Sequence, residues 1–411
     1  MSPGFQAPKG TFDVLPDEAA RRARIQGTAG AILERAGYGR IETPIFEDTE
    51  LFERGVGRST DIVNKEMFTF EDKGGRSITL RPEVTAPLCR AYVEHGMHKL
   101  AQPVKLWTSG PFFRHERPQA GRFRQFTQID AEAIGSDDPL ADVELIKLLA
   151  EILDELGVPG VELRLASLGS IEARARYLEG LKTYLREHEG ELSKEVRERI
   201  DINPLRAFDS DHEGTRAAMA DAPKLLDQLD DDDAQHFERV RSLLDDAGVS
   251  YSLDPSLVRG IDYYTRTIFS FVCDRLGAQS EIGGGGRYDG LVKQLGGPDT
   301  PAIGWAVGIE RLLLALGDET IEQARDVFVA AADDGQRDRA MAIAIELRGA
   351  GLSAETDLAG RSLKGQLKQA DRIGARRTLI LESDGAAQIR DMQSGEQETI
   401  DASEAVAKLG G

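Results

Sequence analysis

The sequence predicts an α+β protein: a core on a mixed, mainly antiparallel sheet, a helical insertion, and a small C-terminal α/β domain. Three observations lead there. The chain has 411 residues, too many for one compact core. Short apolar strand-like segments cluster at 100–135 and 257–317, on either side of a charged, helix-rich stretch. After "DETIEQARD" strands and helices alternate, which predicts a largely parallel sheet. The expected boundaries are 1–322 for the core, with the insertion at about 170–250, and 325–411 for the C-terminal domain.

Taken in order, "PDEAARRARIQGTAGAILERA" (16–36) opens with Pro16 and acids, then sets Ile25, Ala29, Ile32 and Leu33 at helical spacing. The strand-like "GRIETPIF" follows. Between 100 and 135 the pattern is strand, short turn, strand. "PLADVELIKLLAEILDEL" (139–156) reads as an amphipathic helix that starts on proline and ends at Gly157. Leu178, Leu181 and Leu185 mark a helix in the insertion. Residues 257–317 return to short strands, a glycine block and the helix "IERLLLALG". In the C-terminal domain, "VFVAAA" (327–332), "LSAETD" and "RTLILE" (377–382) read as strands, with helices near 336–349 and 362–372 between them.

Lys and Arg number 51 against 71 Asp and Glu, a net charge of −20. Acidic runs such as "DQLDDDDAQ" predict a solvated acidic surface, consistent with adaptation to high salt. Nucleic acid must then be met by a local basic face rather than by overall charge. No apolar run is long enough to span a membrane, and "MSPGFQAPKG" lacks a signal-peptide core. Cys89 and Cys273 give neither a disulfide framework nor a metal spacing, which points to the cytoplasm. His95 and His98 lack a third ligand nearby, so no metal site is expected.

Within this acidic chain, "FFRHERPQAGRFRQFTQIDAEAIG" (112–135) gathers Arg114, Arg117, Arg122 and Arg124. Strand alternation puts Arg122, Arg124, Phe126, Gln128, Asp130 and Glu132 on one face. That face is cationic near the turn "PQAG", aromatic in the middle and anionic at the far end; Arg114 and Glu116 share a face on the preceding strand. Arginines suit phosphates, and Phe126 offers a stacking surface for a purine. Gln128, Asp130 and Glu132 suit a cationic or imidazole-bearing ligand. The strip fits a nucleoside triphosphate beside a small amino-bearing substrate.

The segment Phe113-Arg114-His115-Glu116 resembles motif 2 of the class II aminoacyl-tRNA synthetases. "GYGRIETPIFEDTELF" (37–52), with Pro44, looks like the dimer-forming motif 1, and "AIGWAVGIERLLLAL" (302–316), with Arg311, like motif 3. "LVRGIDYYTRTIFSF" (257–271), "GGGGRYDGL" (283–291), "KGTFDVLP" (9–16) and "LRPEVTAP" (80–87) are similar to signature segments of the histidyl-tRNA synthetases. "GRSLKGQLKQADRIGAR" (360–376) looks like that family's anticodon-binding domain.

The resemblance implies a class II synthetase fold, a homodimer, and two-step chemistry. L-Histidine and ATP, with Mg²⁺ on the β- and γ-phosphates, would give histidyl-adenylate, and the histidyl group would pass to the terminal adenosine of tRNA(His). It implies Arg114 and Arg259 at the α-phosphate as the catalytic cations, and Arg122 and Arg311 at the γ-phosphate. Phe126 would stack on adenine, with Glu116 at its amino edge. Glu83, Thr85 and Gln128 would take the α-amino group; Glu132 and Tyr264 would take the imidazole nitrogens, with Tyr263 lining the pocket. Arg117 and Gln119 would reach the tRNA acceptor end, and Lys364, Lys368, Arg372, Arg376 and Arg377 its anticodon arm. Two positions depart from the family pattern: Val84 stands where a glycine is common, and Asp130 adds a carboxylate beside the pocket. The rival readings are the regulatory subunit of ATP phosphoribosyltransferase, an RNA-sensing synthetase-like module, and a class II synthetase for another amino acid. The C-terminal domain, the retained arginines and the "RGIDYYT" segment speak against them.

Overall fold

A computed structural model of the chain describes residues 4–58, 60–257, 261–277, 280–317 and 325–410. The chain divides into two compact units, Met1–Glu319 and Thr320–Gly411. The strands described in the first unit are β1 (Gly39–Arg40), β2 (Phe46–Asp48), β3 (Phe68–Glu71), β4 (Ser77–Leu80), β5 (Val104–Phe113), β6 (Gln125–Ile134), β7 (Val161–Ser167), β8 (Ser252–Leu253), β9 (Thr265–Cys273), β10 (Glu281–Arg287) and β11 (Ala302–Gly308). The main sheet runs β1-β5-β6-β11-β10-β9-β7-β8, with β2-β4-β3 as a separate small sheet. Its long pairings are all antiparallel; only the two-residue edge strands β1 and β8 pair in parallel. This is the mixed, mainly antiparallel sheet that the sequence predicts.

The glycine block "GGGG" is not a ligand-binding loop but the middle of the central strand β10. A side chain at Gly285 would run into the carbonyl of Gly304 on β11. Glycine there permits close approach of the two backbones.

One face of the sheet is covered by the helices Pro16–Arg35, Pro139–Glu155 and Ile309–Leu316, whose apolar stripes meet Trp107, Ile129, Ala131, Ala133, Ile303 and Trp305 in one core. The helix Pro139–Glu155 begins where expected: the Asp138 side chain accepts from the Leu140 N–H, with proline at the first position.

The charged stretch at about 170–250 divides in two. Tyr177, Leu181, Leu185, Leu192, Val196, Ile200, Ala218 and Met219 make a second core together with Ala166 of β7 and Ile268 of β9. The helix Asp231–Asp246 instead sends Phe237, Val240 and Leu244 into the main core. His236 of that helix lies 3.3 Å from Asp142, whose other oxygen receives the Arg287 guanidinium at 2.5 and 2.8 Å. Burial pushes the Asp142 carboxyl up, yet His236 and Arg287 together hold it below the usual range.

In the second unit, β12 (Val327–Ala331), β13 (Ala354–Thr356), β14 (Arg377–Leu381), β15 (Ala386–Asp391) and β16 (Gln397–Asp401) form the order β13-β12-β14-β15-β16. The apolar run of β12 is buried on both faces. Val327 and Val329 meet the helix Arg337–Gly349, while Phe328 and Ala330 share a core with Ala370 of the helix Leu363–Arg372. The expected largely parallel sheet is instead mixed. β13, β12 and β14 are parallel, but β15 and β16 add antiparallel hairpins through short turns, and their polar faces do not read as core strands.

Replacing Asp142 with alanine would take from the fully buried Arg287 its closest carboxylate, leaving Asp289 at 3.4 Å as the remaining ion-pair partner. It is expected to cost roughly 3–5 kcal/mol of the first unit's stability, read from its denaturant unfolding transition.

Candidate active site

β5 and β6 pair from Val104↔Ile134 to Phe113↔Gln125, so the hairpin predicted around motif 2 exists. Its connection is not the tight turn "PQAG" but the whole excursion 114–124. The ladder gives one more bond, Arg114 N–H to the Arg124 carbonyl, and then opens. Beyond it, the Arg124 N–H donates to Gly10 and the His115 N–H to Glu66, both distant in sequence. Arg114, Glu116 and Arg122 therefore stand on a loop rather than on strand faces.

Below the loop lies a cleft of about 810 Å³. Arg114, Glu116, Arg122, Phe126, Gln128, Tyr264 and Arg311 all line it, joined by Gly283 and Gly284 of β10. The Arg114 guanidinium stands over the Phe126 ring at 5.3 Å, and its Nε donates to the Pro82 carbonyl at 2.9 Å. Glu116 accepts from Arg122 at 3.3 Å. Arg311 starts the helix Ile309–Leu316 and donates to the Glu281 carbonyl at 2.5 Å. Burial and the neighbouring Arg122 charge hold the Arg311 guanidinium below its usual range, the mark of a place that wants an anion.

The cleft narrows into a recess of about 50 Å³ lined by Glu83, Thr85, Arg114, Gln128, Asp130, Tyr263, Tyr264 and Tyr288, among others. Two buried carboxyls, Glu83 and Asp130, line the recess, and a third, Glu132, is bonded to Thr85 and Tyr288 of its wall. Glu83 caps the helix Thr85–Glu94, accepting from the Thr85 and Ala86 N–H groups at 2.7 and 3.1 Å. Glu132 accepts from the Thr85 hydroxyl at 2.7 Å and from the Tyr288 hydroxyl at 2.6 Å. Burial pushes Glu83 up to about 7 and Glu132 up to about 8, and lifts Asp130 well above the carboxylate range. A side chain at Gly304 would overlap Glu132, so only glycine fits there. A water-poor recess walled by acids is a receptor for a small cation.

The site is held from behind by a residue pair that sequence reasoning missed. Both oxygens of Glu310 accept from the Thr127 N–H at 3.0 Å, and Arg22 of the first helix binds Glu310 at 2.9 Å. Tyr288 was also missed as a site residue. It stands two residues after the last glycine of the block, and its contact with Glu132 reveals it. Arg259 lies outside the described residues. Arg117 and Gln119 are exposed at the loop tip, where Gln119 and Arg122 form a backbone bridge. In the second unit, Lys364, Lys368 and Arg372 are exposed at four-residue intervals on one helix. Among the described residues, no cluster of His, Cys, Asp and Glu is arranged to hold a metal ion. Nor is any described helix long and apolar enough to cross a membrane.

The antiparallel sheet, its arginine-bearing hairpin loop and the strand-to-helix step into Arg311 place the first unit among the class II aminoacyl-tRNA synthetases. Residues 10–312 match the family model described as histidyl-tRNA synthetase, and residues 326–410 that of an anticodon binding domain. The histidine–tRNA ligase of Acaryochloris marina is 47% identical over 404 residues, covering 97% of this chain and 94% of that one. The apo histidyl-tRNA synthetase of S. aureus superposes with a TM-score of 0.83 at 35% identity, covering 99% of this chain and 100% of that one. A protein from Bacillus halodurans titled ATP phosphoribosyltransferase regulatory subunit/histidyl-tRNA synthetase reaches 0.67 at 25% identity, over 89% and 96% of the two chains. The chain belongs to the histidyl-tRNA synthetase family.

Glu132 has a pH consequence. An unfolded glutamate releases its proton near 4.5, whereas the folded protein keeps it up to about 8. Raising the pH through that window therefore favours the unfolded chain, and the empty protein loses stability. Thermal melting without ligands is expected to fall more steeply between pH 6 and 8.5 in the wild type than in Glu132→Gln.

Proposed function

We propose that this chain is a histidine–tRNA ligase that activates L-histidine with ATP to histidyl-adenylate and then charges tRNA(His). The observation that carries the reading is the ordered polarity of one cavity. Arginines surround its wide mouth, Phe126 sits between, and acids wall its inner end.

ATP binds in the cleft, where Mg²⁺ accompanying the triphosphate would add positive charge to that of Arg122 and Arg311. Phe126 stacks on the adenine and Glu116 faces its amino edge, while Arg122 and Arg311 hold the γ-phosphate. Histidine enters the recess with its imidazole toward Glu132 and Tyr264, beside Tyr263, and its α-ammonium toward Glu83, Thr85 and Gln128. Its carboxylate then points back at Arg114. A carboxylate oxygen attacks the α-phosphorus in line, the bond to the bridging oxygen breaks, and pyrophosphate leaves with the electron pair. The nucleophile is already ionised, so the chemistry rests on fixed cations that meet the charge growing on the phosphate oxygens. Arg114 is one; Arg259 is assigned to the opposite side of the α-phosphate on family likeness alone. In the second step the adenosine ribose hydroxyl displaces AMP from the adenylate.

A pocket that pairs both imidazole nitrogens rejects isosteres lacking them, because its own buried groups would be left unsatisfied. Arg117 and Gln119 meet the acceptor end, and the basic face of Lys364, Lys368 and Arg372 meets the anticodon arm. The catalytic domain is taken as 1–322 and the anticodon-binding domain as 325–411. A homodimer is supported by the exposed apolar side chains Ile45 and Phe46 within the motif 1 segment. The net charge of −20 supports adaptation to high salt in a cytoplasmic enzyme.

Pyrophosphate exchange into ATP tests the reading. Exchange driven by histidine alone among the amino acids is expected. Arg114→Ala should lower its rate about 10²–10³-fold without loss of folding. No exchange from any amino acid would instead favour the regulatory-subunit reading.

A further inference from the structure

One carboxyl of the recess has no work in the scheme above. Asp130 lies on β6 between Gln128 and Glu132, opposite Thr108 on β5 and Ala306 on β11, and is 2% exposed. It lines the recess, and its Oδ2 is buried with no hydrogen-bond partner. The same holds for Oε1 of Gln128, two residues away on the same strand face.

The other acids differ. Each oxygen of Glu83 already receives a backbone N–H, and each oxygen of Glu132 a hydroxyl. Arg81 and Arg114 act on Asp130 electrostatically, but among the described residues neither forms an ion pair with it. Arg81 spends its donors on Pro111 and Thr43, and Arg114 donates to Pro82.

Buried polar atoms are satisfied almost without exception, so two adjacent orphan acceptors in a ligand recess mark where the ligand supplies donors. The group that fits must carry several N–H bonds and, beside a carboxylate, a positive charge. With the substrate carboxylate at Arg114 and the imidazole at Glu132, the α-ammonium falls between them, level with Gln128 and Asp130.

We propose that Asp130 is a substrate-contacting specificity residue whose Oδ2, together with Oε1 of Gln128, accepts from the α-ammonium of histidine. This rests on the reading of the recess as the histidine site. The contact makes the site select for an amino acid rather than an imidazole acid. A ligand without the amine would leave a carboxyl buried in a recess that already holds two more.

Calorimetric binding of L-histidine and of 3-(imidazol-4-yl)propionate, which lacks the amine, separates the possibilities. Asp130→Asn keeps the shape and removes the charge. It is expected to weaken L-histidine about 10- to 100-fold, leave the des-amino acid within about twofold, and raise KM for histidine in exchange with kcat little changed. Asp130→Gly, which adds no group to the recess, should show the same selective loss and serves where the asparagine variant does not fold. Unchanged histidine affinity overturns the proposal, and so does an equal loss for both ligands, which would put the carboxyl on the imidazole. A wild-type protein without histidine-dependent exchange would defeat the functional reading itself. Normal wild-type exchange with an indifferent Asp130→Asn would defeat only this inference.

Discussion

Three carboxyls held out of water with no buried cation in ion-pair contact among the described residues are the constraint on which this site depends. Burial raises the proton affinity of all three; Glu132 and Glu83 raise that of Asp130 further, and Glu83 that of Glu132. Such a cluster persists only where the surrounding structure is too well fixed to relax around it. The fixing is visible. Both oxygens of Glu310 clamp the backbone of β6 at Thr127, Arg22 clamps Glu310, and the glycine at 304 lets β11 close against the Glu132 carboxyl. The central strands thus form a rigid plate that keeps the acids at the recess even when nothing neutralises them.

The wide end of the cavity carries the opposite frustration. Arg122 lowers the proton affinity of Arg311, and both are only partly answered, by Glu116 and by the carbonyl of Glu281. The two ends of the site therefore differ in sign, with clustered guanidinium groups at the mouth and buried carboxyls at the recess. This also resolves how an acidic chain handles anions. The cations that matter are few, come from separate segments, and are concentrated over one cleft.

What was legible in the sequence was whatever depends on local periodicity. The alternation through Phe126, Gln128, Asp130 and Glu132 predicted one functional face, and β6 presents it so. The apolar run of β12 and the proline-started helix at Pro139 were read correctly for the same reason. What escaped depended on distant partners. The loop 114–124 leaves the hairpin because its N–H groups go to Gly10 and Glu66. Tyr288 lies inside the quoted "GGGGRYDGL" segment, but its place at the site shows only through its bond to Glu132. The helix Asp231–Asp246 is as charged as the insertion around it, yet His236, Phe237 and Val240 tie it to the main core. β16 is a polar edge strand beside β15, and the two offer few apolar side chains to the core, Ala387 and Ile389 from β15 and Ile400 from β16. For the loop, for Tyr288 and for the helix Asp231–Asp246, the deciding contact lies outside any window that a sequence pattern can span.

One short segment, "RPEVT" at 81–85, ties the recess to Arg114, which lines both the recess and the cleft. Arg81 lies 4.7 Å from the centre of the Phe112 ring, and the carbonyl of Pro82 holds Nε of Arg114, which sets the cation at the boundary between recess and cleft. Glu83 lines the recess while capping the helix that follows it, and Thr85 orients Glu132 from the same turn. Val84, the residue that departs from the family's common glycine, does not disturb this. It is 1% exposed and packs with Leu88, Leu106 and Phe112, while Glu83 and Thr85 both still face the recess. A β-branched side chain here has fewer backbone states to lose than glycine, so the substitution stiffens the bracket it sits in. A displacement of this one turn would move Glu83 together with the Pro82 carbonyl that holds Arg114, so these two groups keep their spacing.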